Sequence, residues 1–198
     1  MVQSANDTAD GFFEVLAYVD EDDKYKHKYP DWVKIGKPIP LAPAYQYLYE
    51  LSSYDIIMMC ADDVVFKTPG WDTKVKELMP KDGIGLVSYD DLGRPRKEDG
   101  HPFVGRKFVE SVGYFCYPKL KHSCIDNWYV DIAKDVGRYF YADIVIEHLH
   151  PKYKKGEWDN TYELNSKTIK KEDGDIYLGE EGKSEIRKAV DRVRMSLT

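Results

Sequence analysis

The chain has 198 residues, 42% of them hydrophobic, and a formal net charge of −6, so composition predicts one globular domain with a packed core and disfavours non-specific binding to nucleic-acid phosphates. No apolar run approaches the ~20 residues of a membrane span, the N-terminus lacks the basic and apolar regions of a signal peptide, and the three cysteines form no CxxC pair. We therefore expect a cytoplasmic protein with reduced thiols and no membrane span.

The hydrophobic pattern predicts strands that alternate with helices. Short apolar runs rich in β-branched and aromatic residues indicate strands, and apolar residues that recur every three or four positions indicate helices. In chain order, the sequence predicts a strand at 12–19, a strand at 32–36, a helix at 42–52, a strand at 55–60, a helix at 71–79, a strand at 83–89, a mobile loop at 90–105, a strand at 111–117, a helix at 126–137, a strand at 138–150 and a helix at 183–197.

This alternation is typical of an α/β fold in which helices flank a mostly parallel sheet. We expect one domain over residues 1–163 and a helical tail over residues 164–198 that packs on it. Parallel sheets bind ligands at the carboxyl ends of their strands. Acidic residues or histidines follow three of the predicted strands, and these are Asp20, the pair Asp62 and Asp63, and the pair His148 and His150.

Asp62 and Asp63 directly follow the apolar run DIIMMC, where an unpartnered carboxylate would be costly to bury. Carboxylate oxygens suit hard divalent cations such as Mg²⁺ or Mn²⁺. A simple turn, or a cap for the helix at 71–79, explains the same pair, so both interpretations stay open.

His148 and His150 lie two residues apart, hence on one face of a strand, and imidazole suits Mn²⁺ or Zn²⁺ better than Mg²⁺. Surface or capping histidines are the alternative. Asp126 precedes a predicted helix, where it serves as a helix cap or as a general base for an acceptor hydroxyl. The sequence lacks the GxGxxG motif of classical dinucleotide sites, the GxxxxGK[ST] motif of P-loops and the GxSxG nucleophile elbow of α/β-hydrolases. These three kinds of site are therefore disfavoured.

The order of these features resembles GT-A glycosyltransferases of the family 2 kind, particularly the short versions carried by phages or bacteria. The segments ADDVVFKTPGWD and VIEHLHP are the most specific, and the resemblance covers roughly residues 1–163. It implies a Rossmann-type sheet, a nucleotide-diphosphate sugar donor, usually a UDP-sugar, and an Mn²⁺ or Mg²⁺ cofactor. For a phage-encoded protein the compartment would be the host cytoplasm.

The resemblance also implies a role for each candidate residue. Asp63 would bind the metal, with His148 preferred over His150 as the histidine that completes the metal shell. Asp62 would contact ribose or the donor sugar, Asp20 the base, and Asp126 would be the general base of an inverting reaction. The basic segment KYKK after His150 would close over the diphosphate.

Two departures from the family pattern matter. Ala61 occupies the place of the first carboxylate of a DxD motif. Members also open with a central strand and a Pro-Thr-x-x-Arg-like loop, whereas MVQSANDTA matches the helix that follows them. The resemblance therefore implies an N-terminally truncated sheet with a gap near residues 12–19. Truncation, a strand supplied by a partner and weakened nucleotide binding are the explanations left open.

Two other functions stay open at this point, a non-catalytic module that binds nucleotide or carbohydrate and a metal-dependent nucleotidyltransferase. The acceptor hydroxyl could belong to a glycan, a lipid, a protein or modified DNA, and homo-oligomerisation is undecided.

Overall fold

The computed structural model describes residues 1–93, 100–153, 155 and 169–198. The predicted domain boundary at residues 163–164 and the centre of the predicted loop at 90–105 lie outside this part of the chain. The strands are β1 (Ala17–Asp20), β2 (Val33–Gly36), β3 (Ile56–Met58), β4 (Val64–Phe66), β5 (Leu86–Asp90), β6 (Phe103–Gly105) and β7 (Tyr139–His148). The helices are α1 (Val2–Thr8), α2 (Leu41–Leu51), α3 (Trp71–Leu78), α4 (Arg106–Val112), α5 (Ile125–Asp135), α6 (Lys170–Leu178) and α7 (Glu180–Ser196).

The strands form two separate sheets. Five strands pair in the order β3-β6-β5-β7-β4, and β1 pairs in parallel with β2 apart from them. The α/β class is thus confirmed, but the prediction of a mostly parallel sheet is wrong. Within the five-stranded sheet only β5 and β7 run in parallel, and the other three pairings are antiparallel.

Chain connectivity explains the mixed sheet. A parallel pair needs a crossover of about a dozen residues or more, usually through a helix. The chain passes through α4 and α5 between β5 and β7, which allows their parallel pairing. Between β5 and β6 the described residues contain no helix, and these two strands pair antiparallel.

The five-stranded sheet is covered by helices on both faces. Neighbouring β5 residues belong to different cores, because successive side chains on a strand point to opposite faces. Leu86 packs in the core formed with α4, α5 and α7, which includes Trp128 and Val193. Val87 packs in the core formed with α1 and α3, which includes Val75. The result is a three-layer arrangement around one sheet.

Two predicted strands differ from the observed structure. The first pairs only at Ala17–Asp20, and Phe12 is fully exposed, in keeping with the expected gap near residues 12–19. The strand predicted at 111–117 is wrong, because α4 continues to Val112 and ends at Gly113 in the left-handed conformation that glycine favours. The backbone N–H of Phe115 then donates to the side chain of Gln46 instead of to a neighbouring strand.

Within the described residues, no helix has the length and apolar character needed to cross a membrane. The three cysteines are free thiols.

A buried carboxylate ties α6 to the loop before α5. Asp173 is fully buried, and its two oxygens accept the backbone N–H groups of Lys121, His122 and Ser123 at 3.0, 2.8 and 2.7 Å. These bonds fix the chain just before the start of α5. The C-terminal helices therefore determine where the first turn of α5 lies.

Asp173→Ala should lower the free energy of unfolding by roughly 3 kcal/mol, because three part-buried N–H donors lose a buried, charged acceptor. Urea denaturation measures this change. Asp175→Ala, at an exposed position of the same helix, is the matched control and should change stability by less than about 0.5 kcal/mol. Equal stability of the two variants would contradict the role given to Asp173.

Candidate functional site

A large cleft lies between the two sheets. Its volume is about 1860 Å³, and it is lined by Val19 of β1 on one side and by Ile57 and Met58 of β3 on the other. Five of the six predicted site residues also line it: Asp62, Asp63, Asp126, His148 and His150. Asp20 is not among the described residues that line this cleft. The cleft that separates the two sheets is thus also the place where most of the candidate site residues lie.

The pairing of β4 with β7 brings the acidic turn next to the histidine segment. Asp62 and Asp63 form a turn just before β4, and Val64 pairs with His148 in the antiparallel register. The backbone carbonyl of Asp63 accepts the N–H of Leu149 at 2.8 Å. As a result, Asp63 Oδ1 lies 3.2 Å from His148 Nε2. Since α3 begins after Gly70, the pair does not cap this helix, which leaves a turn or a binding site as its role.

His148 is a buried residue, which excludes the surface interpretation for this histidine. Its exposed fraction is 5%, and its backbone N–H donates to the carbonyl of Asp91 at 3.1 Å. Its Nδ1 atom is buried without a hydrogen-bond partner in the described structure. An unmade hydrogen bond at a buried ring nitrogen is costly, so this atom is a place where a ligand could be gained.

The spacing of Asp63 and His148 suits two ligands of one metal ion. Ligand atoms about 2.1 Å from a metal and about 100° apart are separated by about 3.2 Å. The same distance suits a hydrogen bond from Nε2 to the carboxylate. Both arrangements need the imidazole to be oriented by its surroundings, as the burial of His148 provides.

Two more imidazoles lie close to this pair. The ring centre of His148 is 5.2 Å from that of His150 and 4.8 Å from that of His101. His101 was missed in the sequence, because a single histidine in a turn-rich loop has no ligand spacing to reveal it. As the side chains stand, no three of the His, Cys, Asp and Glu residues in the described ranges form a ready-made metal cage.

Asp126 lies in the first turn of α5, after a residue in the left-handed conformation, Cys124, which occupies the N-cap position. Asp126 is therefore not the N-cap residue itself, but its negative charge near the helix N-terminus interacts favourably with the helix dipole. One carboxylate oxygen accepts the backbone N–H of Asn127 at 3.0 Å. The carboxylate thus lies on the wall of the cleft at a position that α5 fixes.

Tyr45, which also lines the cleft, is hydrogen-bonded to the segment just before Asp62. Its hydroxyl donates to the carbonyl of Cys60 at 3.1 Å, and burial is the main cause that raises its pKa. The thiols of Cys60 and Cys116, and after them the carboxylates of Asp126 and Asp62, raise this pKa further.

Glu147 precedes His148 and binds two lysines. Its carboxylate lies 3.2 Å from Lys67 Nζ and 2.9 Å from Lys155 Nζ, and the hydrogen bonds from Lys155 and Lys67 lower its pKa. Lys155, the last residue of the KYKK segment, also donates to the carbonyl of Leu92 at 3.2 Å. In this structure Lys155 is therefore held by the chain itself, and Lys154 lies outside the described residues.

No protein-family model matches the chain, and no curated protein matches it. The geometry of the cleft and the order of the sequence motifs therefore carry the functional argument.

The thiol of Cys60, which lines the cleft, should be unreactive at neutral pH. Burial raises the pKa of Cys60 to about 12, while the pKa of the less buried Cys124 rises to about 11. Only the thiolate is alkylated, so at pH 8 iodoacetamide should modify native Cys60 about 10²-fold or more slowly than the unfolded chain, with Cys124 reacting faster. Peptide mapping by mass spectrometry, with the urea-unfolded protein as control, measures both rates. Rapid alkylation of native Cys60 would contradict its burial.

Proposed function

We propose that this chain is a metal-dependent glycosyltransferase that moves a sugar from a nucleotide-diphosphate sugar to an acceptor hydroxyl with inversion. The donor in this proposal is a UDP-sugar. One observation carries it: Asp63 and His148 lie 3.2 Å apart in a cleft that Asp62 and Asp126 also line. The order of the motifs along the chain supports the same function.

Asp63 and His148 are the residues that would hold Mn²⁺ or Mg²⁺, with His150 beside them. The carboxylate of Asp63, which lies next to Nε2 of the buried His148, fits a site for a cation. Such ions are commonly bound by one or two protein ligands together with substrate phosphates, so a preformed cage is unnecessary. When bound, the ion offsets the charge that develops on the departing diphosphate.

The protein residues next to this pair would position the donor. Asp62 shares the turn with Asp63 and would accept hydrogen bonds from the hydroxyls of the ribose or of the sugar. Asp20, at the end of β1, keeps its predicted role as the contact of the base. It follows Val19, which does line the cleft.

Asp126 would deprotonate the acceptor hydroxyl as it attacks the anomeric carbon. A general base must be held at hydrogen-bond distance from its substrate, and the first turn of α5 supplies a fixed position. Asp173 supports this position through its bonds to the loop of residues 121–123. A carboxylate base opposite the departing diphosphate gives inversion.

The finer fold assignment is part of the same proposal. A separate parallel pair, β1–β2, beside the sheet β3-β6-β5-β7-β4 is compatible with a GT-A-like sheet that lacks the strand between β1 and β3. The cleft that both β1 and β3 line supports this interpretation.

The divided sheet also favours one second candidate, a non-catalytic module that binds a nucleotide or carbohydrate in the same cleft. A GT-A-like sheet that is divided at this point offers less surface to hold the base. Binding without turnover would then be its function. The acceptor remains a glycan, a lipid, a protein or modified DNA, with DNA disfavoured by the net charge of −6.

Mn²⁺ and UDP together should stabilise the protein more than the sum of their separate effects, because the metal joins the diphosphate to Asp63. A ligand at 100 times its Kd adds about 2.7 kcal/mol, which for a chain of this size raises Tm by about 5–10 °C. Differential scanning fluorimetry measures the shift. Asp63→Asn should remove the synergy, and additive shifts in the wild type would argue against a shared site.

Asp63→Asn and Asp126→Asn should separate binding from chemistry. Asp126→Asn should keep Mn²⁺-dependent UDP binding but lower sugar transfer by about 10²–10⁴-fold, the usual effect of a lost general base. Asp63→Asn should lose both. The assay measures the release of UDP from each of a panel of UDP-sugars in the presence of Mn²⁺. Asp143→Asn, at an exposed position of β7, is the control. Normal transfer by Asp126→Asn would exclude Asp126 as the base.

If the wild type binds UDP with Mn²⁺ but turns over none of these donors, the binding module becomes the better account.

A further inference from the structure

Residues 24–37 form a basic and aromatic surface on a chain that is acidic as a whole. This segment, KYKHKYPDWVKIGK, carries five lysines and one aspartate, hence a formal charge of +4 with neutral histidine, whereas the whole chain carries −6. Its three aromatic rings are partly exposed, Tyr25 by 46%, Tyr29 by 38% and Trp32 by 37%. Clustered exposed rings mark surfaces where a partner or a ligand binds.

Tyr25 gathers the positive charge of this surface. The ammonium group of Lys24 lies 4.7 Å from the centre of the Tyr25 ring and that of Lys28 lies 5.0 Å from it. The two charges are thus at most about 10 Å apart, close to the Debye length in 0.1 M salt, so they repel each other. Lys26 donates to the backbone carbonyl of Glu21, which leaves its charge uncompensated.

The charges of these three lysines therefore call for an anion from outside the described chain. Lys24, Lys26 and Lys28 are all exposed, and within the described residues none of them forms an ion pair with a carboxylate. A bound anion would offset the repulsion that their proximity causes.

Two aromatic rings connect this surface to the cleft, because Tyr29 and Trp32 both line it. Trp32 directly precedes β2, and the N–H of the buried Val33 donates to the carbonyl of Pro30 at 3.0 Å. A turn therefore holds the segment between the two rings against the strand. Tyr and Trp supply rigid, amphipathic contact area, and the apolar C–H face of a sugar ring packs well on such a ring.

We propose that residues 24–37 bind an acidic glycan, a sugar chain with spaced carboxylate or phosphate groups, and place it in the cleft as the acceptor of sugar transfer. The lysines would pair with the acidic groups, and Tyr29 and Trp32 would stack on the sugars between them. The inference rests on the proposed function only in making the bound glycan the acceptor, because binding itself needs neither donor nor metal.

The arrangement of charge favours a glycan over a nucleic acid. The lysines are interrupted by the exposed Asp31 and preceded by the acidic run Asp20–Asp23. A nucleic acid carries a phosphate on every nucleotide, so it would set phosphates against these carboxylates as well as against the lysines. In an acidic glycan, neutral sugars separate the charges, which lets the acidic groups meet the lysines and avoid the carboxylates.

The test is equilibrium binding of a fluorescently labelled hyaluronan oligosaccharide, which carries a carboxylate on every second sugar, measured by fluorescence anisotropy at low salt. A triple variant, Lys24→Gln with Lys26→Gln and Lys28→Gln, should bind it about tenfold more weakly, since each exposed ion pair contributes a factor of about two. Trp32→Ala should weaken binding about fivefold through the lost ring contact. Added salt should weaken binding less in the triple variant than in the wild type, whereas Trp32→Ala should keep the wild-type salt dependence.

The matched control is a second triple variant, Lys171→Gln with Lys183→Gln and Lys188→Gln, at exposed positions of α6 and α7. It changes the net charge by the same amount and should bind hyaluronan as the wild type does. The melting temperature of each variant shows whether a loss of binding merely reflects unfolding.

Four results would overturn the inference: equal binding by the Lys24, Lys26 and Lys28 variant and the wild type, no binding of hyaluronan by the wild type, equal binding of neutral dextran, and tighter binding of a single-stranded oligothymidylate. The last of these would identify the partner as a nucleic acid. Because the assay contains neither Mn²⁺ nor a donor, its result is independent of the metal pair. A chain that binds hyaluronan through these lysines but releases UDP from no donor would keep the glycan surface and lose the proposed transfer.

Discussion

The candidate site depends on the antiparallel pairing of β4 with β7. This pairing places Val64 opposite His148, and so brings Asp63, in the turn before β4, within 3.2 Å of the imidazole. A carboxylate and a histidine far apart in the sequence thereby meet at one point with defined geometry. On the other side of β7, the backbone N–H of His148 donates to the carbonyl of Asp91, just after β5, so the histidine backbone is held from both sides of its strand. A slip of one residue in the β4–β7 register would turn the side chains of β4 to the opposite face and separate Asp63 from His148.

The second constraint is the division of the sheet. Because β1 and β2 pair only with each other among the described strands, the space between β1 and β3 is an open cleft instead of a continuous sheet. In the proposed function, Asp62 and the candidate metal pair are both placed around this cleft. In the same proposal, the gap that gives access to Asp63 leaves less surface to hold a nucleotide base. The gap between the sheets is therefore the feature on which both proposed functions depend, sugar transfer and the binding of a nucleotide or carbohydrate without turnover.

The sequence singles out candidate residues by two local signals, an apolar run that ends on acidic residues or histidines and, for Asp126, the start of a predicted helix. It identified Asp62, Asp63, Asp126, His148 and His150, all of which line the cleft. It did not predict that β4 runs antiparallel to β7, or that β6 runs antiparallel to β3 and β5. Strand direction depends on the connections between strands, which hydrophobic periodicity does not show. The strand at 111–117 was wrong because Gly113 ends a helix there. His101 has no local signal at all, and only its distance to His148 reveals it.

In the proposed function, Asp63 and His148 hold one metal ion that joins the protein to a diphosphate. The most direct measurement is an anomalous difference map, recorded at the manganese edge from crystals grown with MnCl₂ and UDP. The account predicts one strong peak within about 2.5 Å of both Asp63 Oδ1 and a ring nitrogen of His148, in contact with the diphosphate. A peak elsewhere in the cleft, or UDP bound without manganese at this pair, would contradict it.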